Sequence, residues 1–314
     1  MRIALVGYGG YAPKHLEVLR ALGAEVVASS NRSEAGRARA QAEGGIPRTY
    51  ARTEEMLERE RPDGVVSCVS FEAQHAVGKV VIASGIPFLI EKPPGTSLAE
   101  LEELVALART HGTPVMVGLN RRHYSVIRRA LDDAGGPEAV RGVFIDWSED
   151  PAMLLGRGMA ADLVAKNTFR NSIHGLDLLT FLGGDLPDPT ILATSQGAPF
   201  QWVQSVSGVS ARGAVASFTS TWNAPGRWRV QFVTDGRRYT FAPLETCKVA
   251  VAGQKDERTI EPDEHDRTYK AGMYRQAERF LEMITTRTPP LEAALEVARP
   301  AMTLAERLTA ACRA

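Results

Sequence analysis

Three cysteines in 314 residues, Cys68, Cys247 and Cys312, are few, odd in number and far apart. No CxxC pair or Cys/His cluster accompanies them, which argues against a disulfide framework and a structural zinc site and for a reducing compartment. Charge of one sign is also missing, since 37 basic side chains balance 37 acidic ones. A nucleic-acid binder would show a basic excess, and an anionic membrane surface has nothing to attract. No apolar run approaches the ~20 residues that a spanning helix needs. The opening MRIALVGYGG holds glycines where a signal peptide requires a longer apolar stretch. The expectation is a soluble, cytoplasmic protein without a metal site.

What is present is ordinary globular material, 44% hydrophobic and 24% charged, long enough for about two domains. Residues 1–120 alternate apolar strands (2–7, 25–29, 64–70, 87–90, 114–119) with helical stretches (15–22, 33–43, 53–61, 74–84, and one from Ser97 to about His111). Ser97 with Glu100 has the spacing of a capping box. Fully apolar strands interleaved with helices predict an α/β Rossmann domain, a doubly wound parallel sheet covered on both faces. Beyond residue 120 the pattern changes. Strands are expected at 140–147, 214–222 and 228–233, and Asp235-Gly236 turns the last of these into 238–241. Residues 121–314 therefore read as an α+β domain with an open antiparallel sheet. Helices are expected at 173–182, 269–284 and 291–312, the last kinked or split by Pro300 and free to pack back on the first domain.

Three segments carry chemistry. Gly7-Tyr8-Gly9-Gly10-Tyr11-Ala12 fits GxGxxA between the first strand and the first helix. Gly7 suits the tight turn, Gly9 lets backbone approach a pyrophosphate, and Ala12 lets helix and strand pack closely. At the end of the second strand, where an NAD enzyme usually carries an acid, stand Ser29, Ser30, Asn31, Arg32 and Ser33, with Arg37 a turn later. Hydroxyls and a guanidinium suit a 2′-phosphate, so NADP is favoured over NAD. Glu34, the closest acid downstream, keeps NAD as the alternative.

Glu91-Lys92-Pro93 leaves the carboxyl end of a parallel strand, the edge at which such sheets bind ligands. Lys92 either meets a substrate oxygen or the nicotinamide ribose, with Glu91 orienting it, or is half of a surface pair before a proline turn that suits a cis bond. Asn171-Ser172-Ile173-His174-Gly175-Leu176-Asp177 starts a helix. With Asn171 or Ser172 as cap, His174 lies in the first turn, where the positive helix end keeps imidazole neutral. A capping cluster with a core histidine is the alternative. His15, His111, His123 and His265 show no partner spacing and read as surface or helix-end residues. Trp202, Trp222 and Trp228 read as sheet packing, and Asp146 and Trp147 end a strand that is a weaker site candidate.

Together these segments, with Asn120-Arg121-Arg122, Pro243-Leu244-Glu245 and residues 270–276, resemble the Gfo/Idh/MocA dehydrogenases over nearly the whole chain. The resemblance implies hydride transfer between a nicotinamide and the carbinol or carbonyl carbon of a sugar, polyol or derivative. It makes Lys92 and His174 the catalytic pair. It places Ser70, Phe71 and His75 in a loop beside the nicotinamide ribose and has Asn120 close the site between domains. It implies homo-oligomers, dimers or tetramers, built through the C-terminal sheet. Many members carry Asp four residues before the histidine, whereas this chain has Arg170, a charge suited to a substrate carboxylate or phosphate. Substrate contacts are thus expected from Lys92, Asn120, Arg170, Asn171, His174 and Asp177. An imine or non-sugar carbonyl reductase and a dinucleotide-binding sensor without turnover remain the alternatives.

Overall fold

The computed structural model describes residues 1–195, 200 and 202–312. The chain begins with β1 (Arg2–Val6), α1 (Ala12–Ala21), β2 (Glu25–Ser30), α2 (Glu34–Ala42), β3 (Arg48–Tyr50) and α3 (Thr53–Glu60). It continues with β4 (Gly64–Ser67), α4 (Gln74–Ala83), β5 (Phe88–Glu91), α5 (Leu98–His111) and β6 (Val115–Gly118). There follow α6 (Ser125–Ala134), β7 (Gly142–Glu149), α7 (Pro151–Gly156), α8 (Ala161–Val164), a π-helical turn at Thr168–Ser172 and α9 (Ile173–Gly183). Seven strands come next: β8 (Thr190–Ser195), β9 (Trp202–Val209), β10 (Val215–Trp222), β11 (Arg229–Thr234), β12 (Arg237–Phe241), β13 (Cys247–Val251) and β14 (Arg258–Ile260). Helices α10 (Glu264–Thr268), α11 (Met273–Thr286) and α12 (Arg299–Ala311) close the described chain. No helix among the described residues is long and apolar enough to cross a membrane.

Met1–His123 and His265–Ala298 form one compact unit. Its six strands are all parallel, in the order β3-β2-β1-β4-β5-β6. That order reverses between β1 and β4, so the carboxyl ends of these two strands mark the switch point where such sheets bind dinucleotides. β3 escapes the sequence pattern because Arg48-Thr49-Tyr50 has no apolar run. Helix α11 belongs to this unit for a packing reason: a Cβ on Gly64 of β4 would lie 2.5 Å from Ile284 Cδ1 and 2.9 Å from Phe280 Cζ. The helix therefore seats on the sheet at that glycine. It starts at Met273 rather than at residue 269, because Gly272 before it has φ +75°.

Tyr124–Glu264 and the segment from Arg299 form the other unit. Its sheet has eight strands in the order β14-β13-β12-β11-β7-β10-β9-β8. The expected antiparallel pattern holds except at its centre, where β7 and β10 run parallel with Val215 opposite Gly142 and Trp222 opposite Glu149. Parallel neighbours need a long connection, and α7, α8, α9 and the β8–β9 hairpin supply it. One face, with Val143, Ile145, Trp147, Phe218, Phe232 and Phe241, is buried. Gly175 of α9 presses onto this face, where a Cβ would lie 2.7 Å from Phe218 and 2.8 Å from Trp147. The helix expected over 291–312 begins only at Arg299, after a 3₁₀ turn at Leu295–Ala298. Pro300 thus sits in the first helical turn, where its missing N–H costs nothing.

Candidate active site

The functional residues read from the sequence fall into two groups, one in each unit. In the first unit, Gly7 follows β1 with φ +87° and donates its N–H to Ser30 O at 2.7 Å. Gly9 donates to Cys68 O at 3.2 Å, and a Cβ there would stand 2.5 Å from that oxygen. Backbone therefore packs on backbone, and only glycine fits. Gly10 has nothing within 4 Å of its missing Cβ, so this side of the turn is open. Ala12 starts α1 and is fully buried. Tyr8 is buried under the Arg39 guanidinium and Tyr11 is exposed. Burial pushes the Cys68 thiol well above its ordinary value, which keeps it protonated behind the turn.

At the end of β2 the hydroxyls are already engaged. Ser30 Oγ meets Thr53 Oγ1 at 3.0 Å, Asn31 donates to Ser29 Oγ at 2.9 Å, and Ser33 Oγ caps α2 by accepting from Gly36 N at 3.1 Å. Arg37 folds back to donate to the carbonyls of Asn31 and Arg32 at 2.9 and 3.0 Å. Arg32 itself is exposed. The loop keeps its positive charge and holds no carboxylate at the strand end.

Glu91 is the centre of a buried network. Its N–H donates to Ser67 Oγ at 3.0 Å, and that hydroxyl donates to Gln74 Oε1 at 2.6 Å. Its Oε1 lies 2.7 Å from His15 Nε2, and its Oε2 accepts from Lys92 N at 3.2 Å. A carboxylate only accepts, so the His15 proton sits on Nε2. Gly118 makes room, since a Cβ there would meet the Glu91 carboxylate at 3.1 Å. One side chain thus ties α1, the helix of the glycine turn, to the backbone of Lys92. The Lys92–Pro93 bond is cis, as the sequence suggested.

His15 is therefore no surface histidine, and the pattern that reveals it is helical: His15, Val18 and Leu19 share the buried face of α1. His123 is likewise buried, in a 3₁₀ turn whose Arg122 donates to the carbonyls of Glu292 and Val297. His111 and His265 are exposed, as expected. Asn120, in the same turn, donates its amide to Ala271 O at 3.0 Å. Ser70 is exposed and Phe71 opens a 3₁₀ turn, but His75 lies in α4 rather than in a loop, its Nε2 2.8 Å from Glu103 of α5. The capping box at Ser97 is shifted. Ser97 Oγ accepts from Glu100 N, while the Glu100 carboxylate accepts from Thr96 N.

In the second unit, His174 and Asp177 are buried in α9. Neither Asn171 nor Ser172 caps this helix, because the π-helical turn continues the backbone into it and Ser172 has helical angles (φ −64°, ψ −20°). The helix-end field expected at His174 therefore loses its premise. The capping groups are turned instead on Glu149, a buried residue absent from the sequence reading. Its Oε2 accepts from Asn167 and Asn171, both at 2.8 Å. Its Oε1 accepts from Ser172 Oγ at 2.8 Å and Trp147 Nε1 at 3.0 Å. Burial pushes its pKa up, against the pull of these four donors. Strand alternation after Val143, Ile145 and Trp147 is the signal that puts Glu149 inside. Arg170 donates to Asn167 Oδ1 at 3.0 Å. Trp147 stacks on Trp228 with centroids 4.2 Å apart, and Asp146 pairs with Arg229 on the exposed face. No cluster of three or more metal-binding side chains occurs among the described residues.

Residues 1–119 match the model of the Gfo/Idh/MocA oxidoreductases, NAD-binding Rossmann fold. This match covers the first compact unit up to its last strand, and it makes residues 1–119 similar to the NAD-binding half of that family. Over 195 residues it is 31% identical to a D-apiose dehydrogenase of Paraburkholderia graminis, covering 58% of this chain and 50% of that one. The chain therefore spans about half the length of that curated relative. A dehydrogenase of Chromobacterium violaceum superimposes with TM-score 0.84 at 18% identity, covering 99% of this chain and 94% of its own. An oxidoreductase of Agrobacterium radiobacter, solved with NAD+, L-tartaric acid and magnesium, superimposes with TM-score 0.82 at 14% identity, covering 100% and 96%. At such identities the two structures speak for a shared fold alone.

Proposed function

We propose that this protein transfers a hydride between NADP(H) and the hydroxyl or carbonyl carbon of a sugar, polyol or sugar derivative. The observation that carries this reading is the Glu91 network, which couples the helix behind the glycine turn to Lys92. The turn fits a dinucleotide: Gly9 is packed where a Cβ would collide, and Gly10 faces open space. Gly7, Gly9, Gly10 and the N-terminal end of α1 hold the pyrophosphate, with Tyr8, Tyr11 and Ala12 shaping the turn. Ser30, Asn31 and Arg32 take the ribose end, the exposed Arg32 charge favouring a 2′-phosphate. Ser70, Phe71, His75 and Asn120 serve the nicotinamide half.

The bound cofactor supplies the hydride acceptor for oxidation and the donor for reduction. Lys92 donates a hydrogen bond to the substrate oxygen, and His174 takes the hydroxyl proton in oxidation and returns it in reduction. Arg170, with Asn171 and Asp177, orients the rest of the substrate. A sugar as substrate agrees with the D-apiose dehydrogenase likeness. The test follows nicotinamide absorbance with NADPH and NADH against free sugars, sugar acids, nucleotide sugars and simple imines, with Lys92→Met as the blank. A lysine-dependent signal with sugars and a preference for NADPH is expected. A signal with imines alone would replace the substrate class, and tight NADPH binding with silence throughout would leave a sensor.

We also infer that the protein works as a homo-oligomer. The outer face of the eight-stranded sheet exposes Phe144, Leu192, Val203, Val209 and Val215 among serines and threonines. A near-neutral, half-apolar sheet face suits a second copy of itself. Val215→Arg combined with Leu192→Arg should yield monomers in analytical ultracentrifugation with the far-ultraviolet circular dichroism unchanged. An unaltered sedimentation coefficient would move the interface elsewhere.

A further inference from the structure

The π-helical turn at Thr168–Ser172 leads directly into α9 and its second residue, His174. A π turn carries an extra residue relative to α geometry, is rare, and persists only where something holds it. Here the holder is visible. Asn167, just before the turn, and Asn171, within it, stand four residues apart, and both donate to Glu149 Oε2 at 2.8 Å. Ser172, the last residue of the turn, donates to Glu149 Oε1, and Trp147 Nε1 donates to the same oxygen. The ring of Trp147 is in turn the surface on which Gly175 of α9 rests, 2.8 Å from where a Cβ would be. Glu149 thus touches the helical path before His174 at three residues and the platform beneath it at a fourth. All of these residues lie in one unit.

We propose that Glu149 is the positioning residue for His174: its buried carboxylate holds the π turn open and so sets the rotational phase at which α9 presents the imidazole. An α-helix advances about 100° per residue at 3.6 residues per turn. Collapse of the turn to α geometry, with its extra residue absorbed, would rotate His174 by that angle against the sheet. Three of the four donors are N–H groups that cannot accept, and they fall on both oxygens, so each carboxyl oxygen must act as an acceptor. Glu149→Gln keeps the shape but turns an NH₂ group towards N–H donors. The role of His174 in turnover comes from the proposed function; the role of Glu149 in placing it stands on geometry and is tested separately.

The test takes the full-length protein with Glu149→Gln and, as a gentler variant, Ser172→Ala, which removes one donor and leaves the carboxylate in place. Crystal structures of both read the turn directly, and kcat per folded molecule and the Kd for NADPH read its consequence. Misplacing a reacting group by about 1 Å can cost on the order of 10²-fold in rate. Glu149→Gln should lose the π turn and fall by about that factor in kcat, with Kd for NADPH unchanged. Ser172→Ala should fall less, in the same direction. A Glu149→Gln structure that keeps the π turn and the His174 position overturns the proposal, whatever the rate. A lost turn with full kcat leaves the positioning intact and refutes His174 as the proton acceptor. If Glu149→Gln does not fold, a Ser172→Ala protein with unchanged turn geometry and unchanged kcat overturns the proposal alone.

Discussion

Replacing His174 by alanine is expected to lower kcat by about 10²–10⁴-fold, the usual worth of a positioned acid or base, while NADPH binds as tightly as before. The two effects separate because the residues assigned to the cofactor belong to the first unit and His174 to the second. His174 is buried in α9, so the truncation also leaves a small void. Its cost falls on stability and is read apart from turnover by thermal melting. Lys92→Met should lose turnover similarly, because the thioether chain matches the lysine stem and cannot donate to an oxygen. Its backbone N–H keeps its bond to Glu91, so the strand end stays in place. Stopped-flow single-turnover rates with saturating NADPH measure the chemical step directly. Undiminished turnover in His174→Ala would reduce that residue to core packing and return the proton to Lys92 or to solvent.

The second large effect is expected at Gly9. An added Cβ meets the Cys68 carbonyl at 2.5 Å, and that carbonyl is held by the Gly9 N–H itself. Neither partner is the end of a flexible side chain, so the turn must move away from β4. Overpacking of this kind costs about 1–3 kcal/mol. If the strain is relieved by opening the turn, the same energy weakens dinucleotide binding by roughly tenfold to a hundredfold. Gly9→Ala should therefore melt below the parent and bind NADPH less tightly, read by calorimetry and fluorescence titration. Gly10→Ala is the matched control for stability, since its Cβ meets nothing within 4 Å. Equal melting temperatures for the two variants would contradict the close approach at Gly9.

The glycine turn and the Lys92 strand end were legible in sequence because each is a local pattern. An apolar run, a glycine spacing and a proline act on the neighbouring few residues, and tertiary packing left them in place. His15 and Glu149 were less visible for a shared reason. Each is a polar residue on a face otherwise apolar, His15 beside Val18 and Leu19, Glu149 in step with Ile145 and Trp147. Periodicity marks such a residue as buried but leaves its partner unnamed, and the partners are 76 residues away for His15 and 18 to 23 away for three of those on Glu149. Ser172 and Asn171 misled for the opposite reason. Their residue types favour helix caps, and a carboxylate from a neighbouring strand outcompeted the local N–H groups for them.

By itself the sequence determined the alternation of strands and helices, the dinucleotide turn, and the absence of an acid at the end of β2. Tertiary structure alone decided that β7 and β10 run parallel, that α11 joins the first unit, and that one carboxylate binds Lys92 to the glycine-turn helix while another holds the turn before His174. Local patterns follow from backbone sterics and side-chain periodicity over a few residues. Buried polar groups are satisfied by whatever donor the fold brings within reach, and that is settled only when distant segments meet.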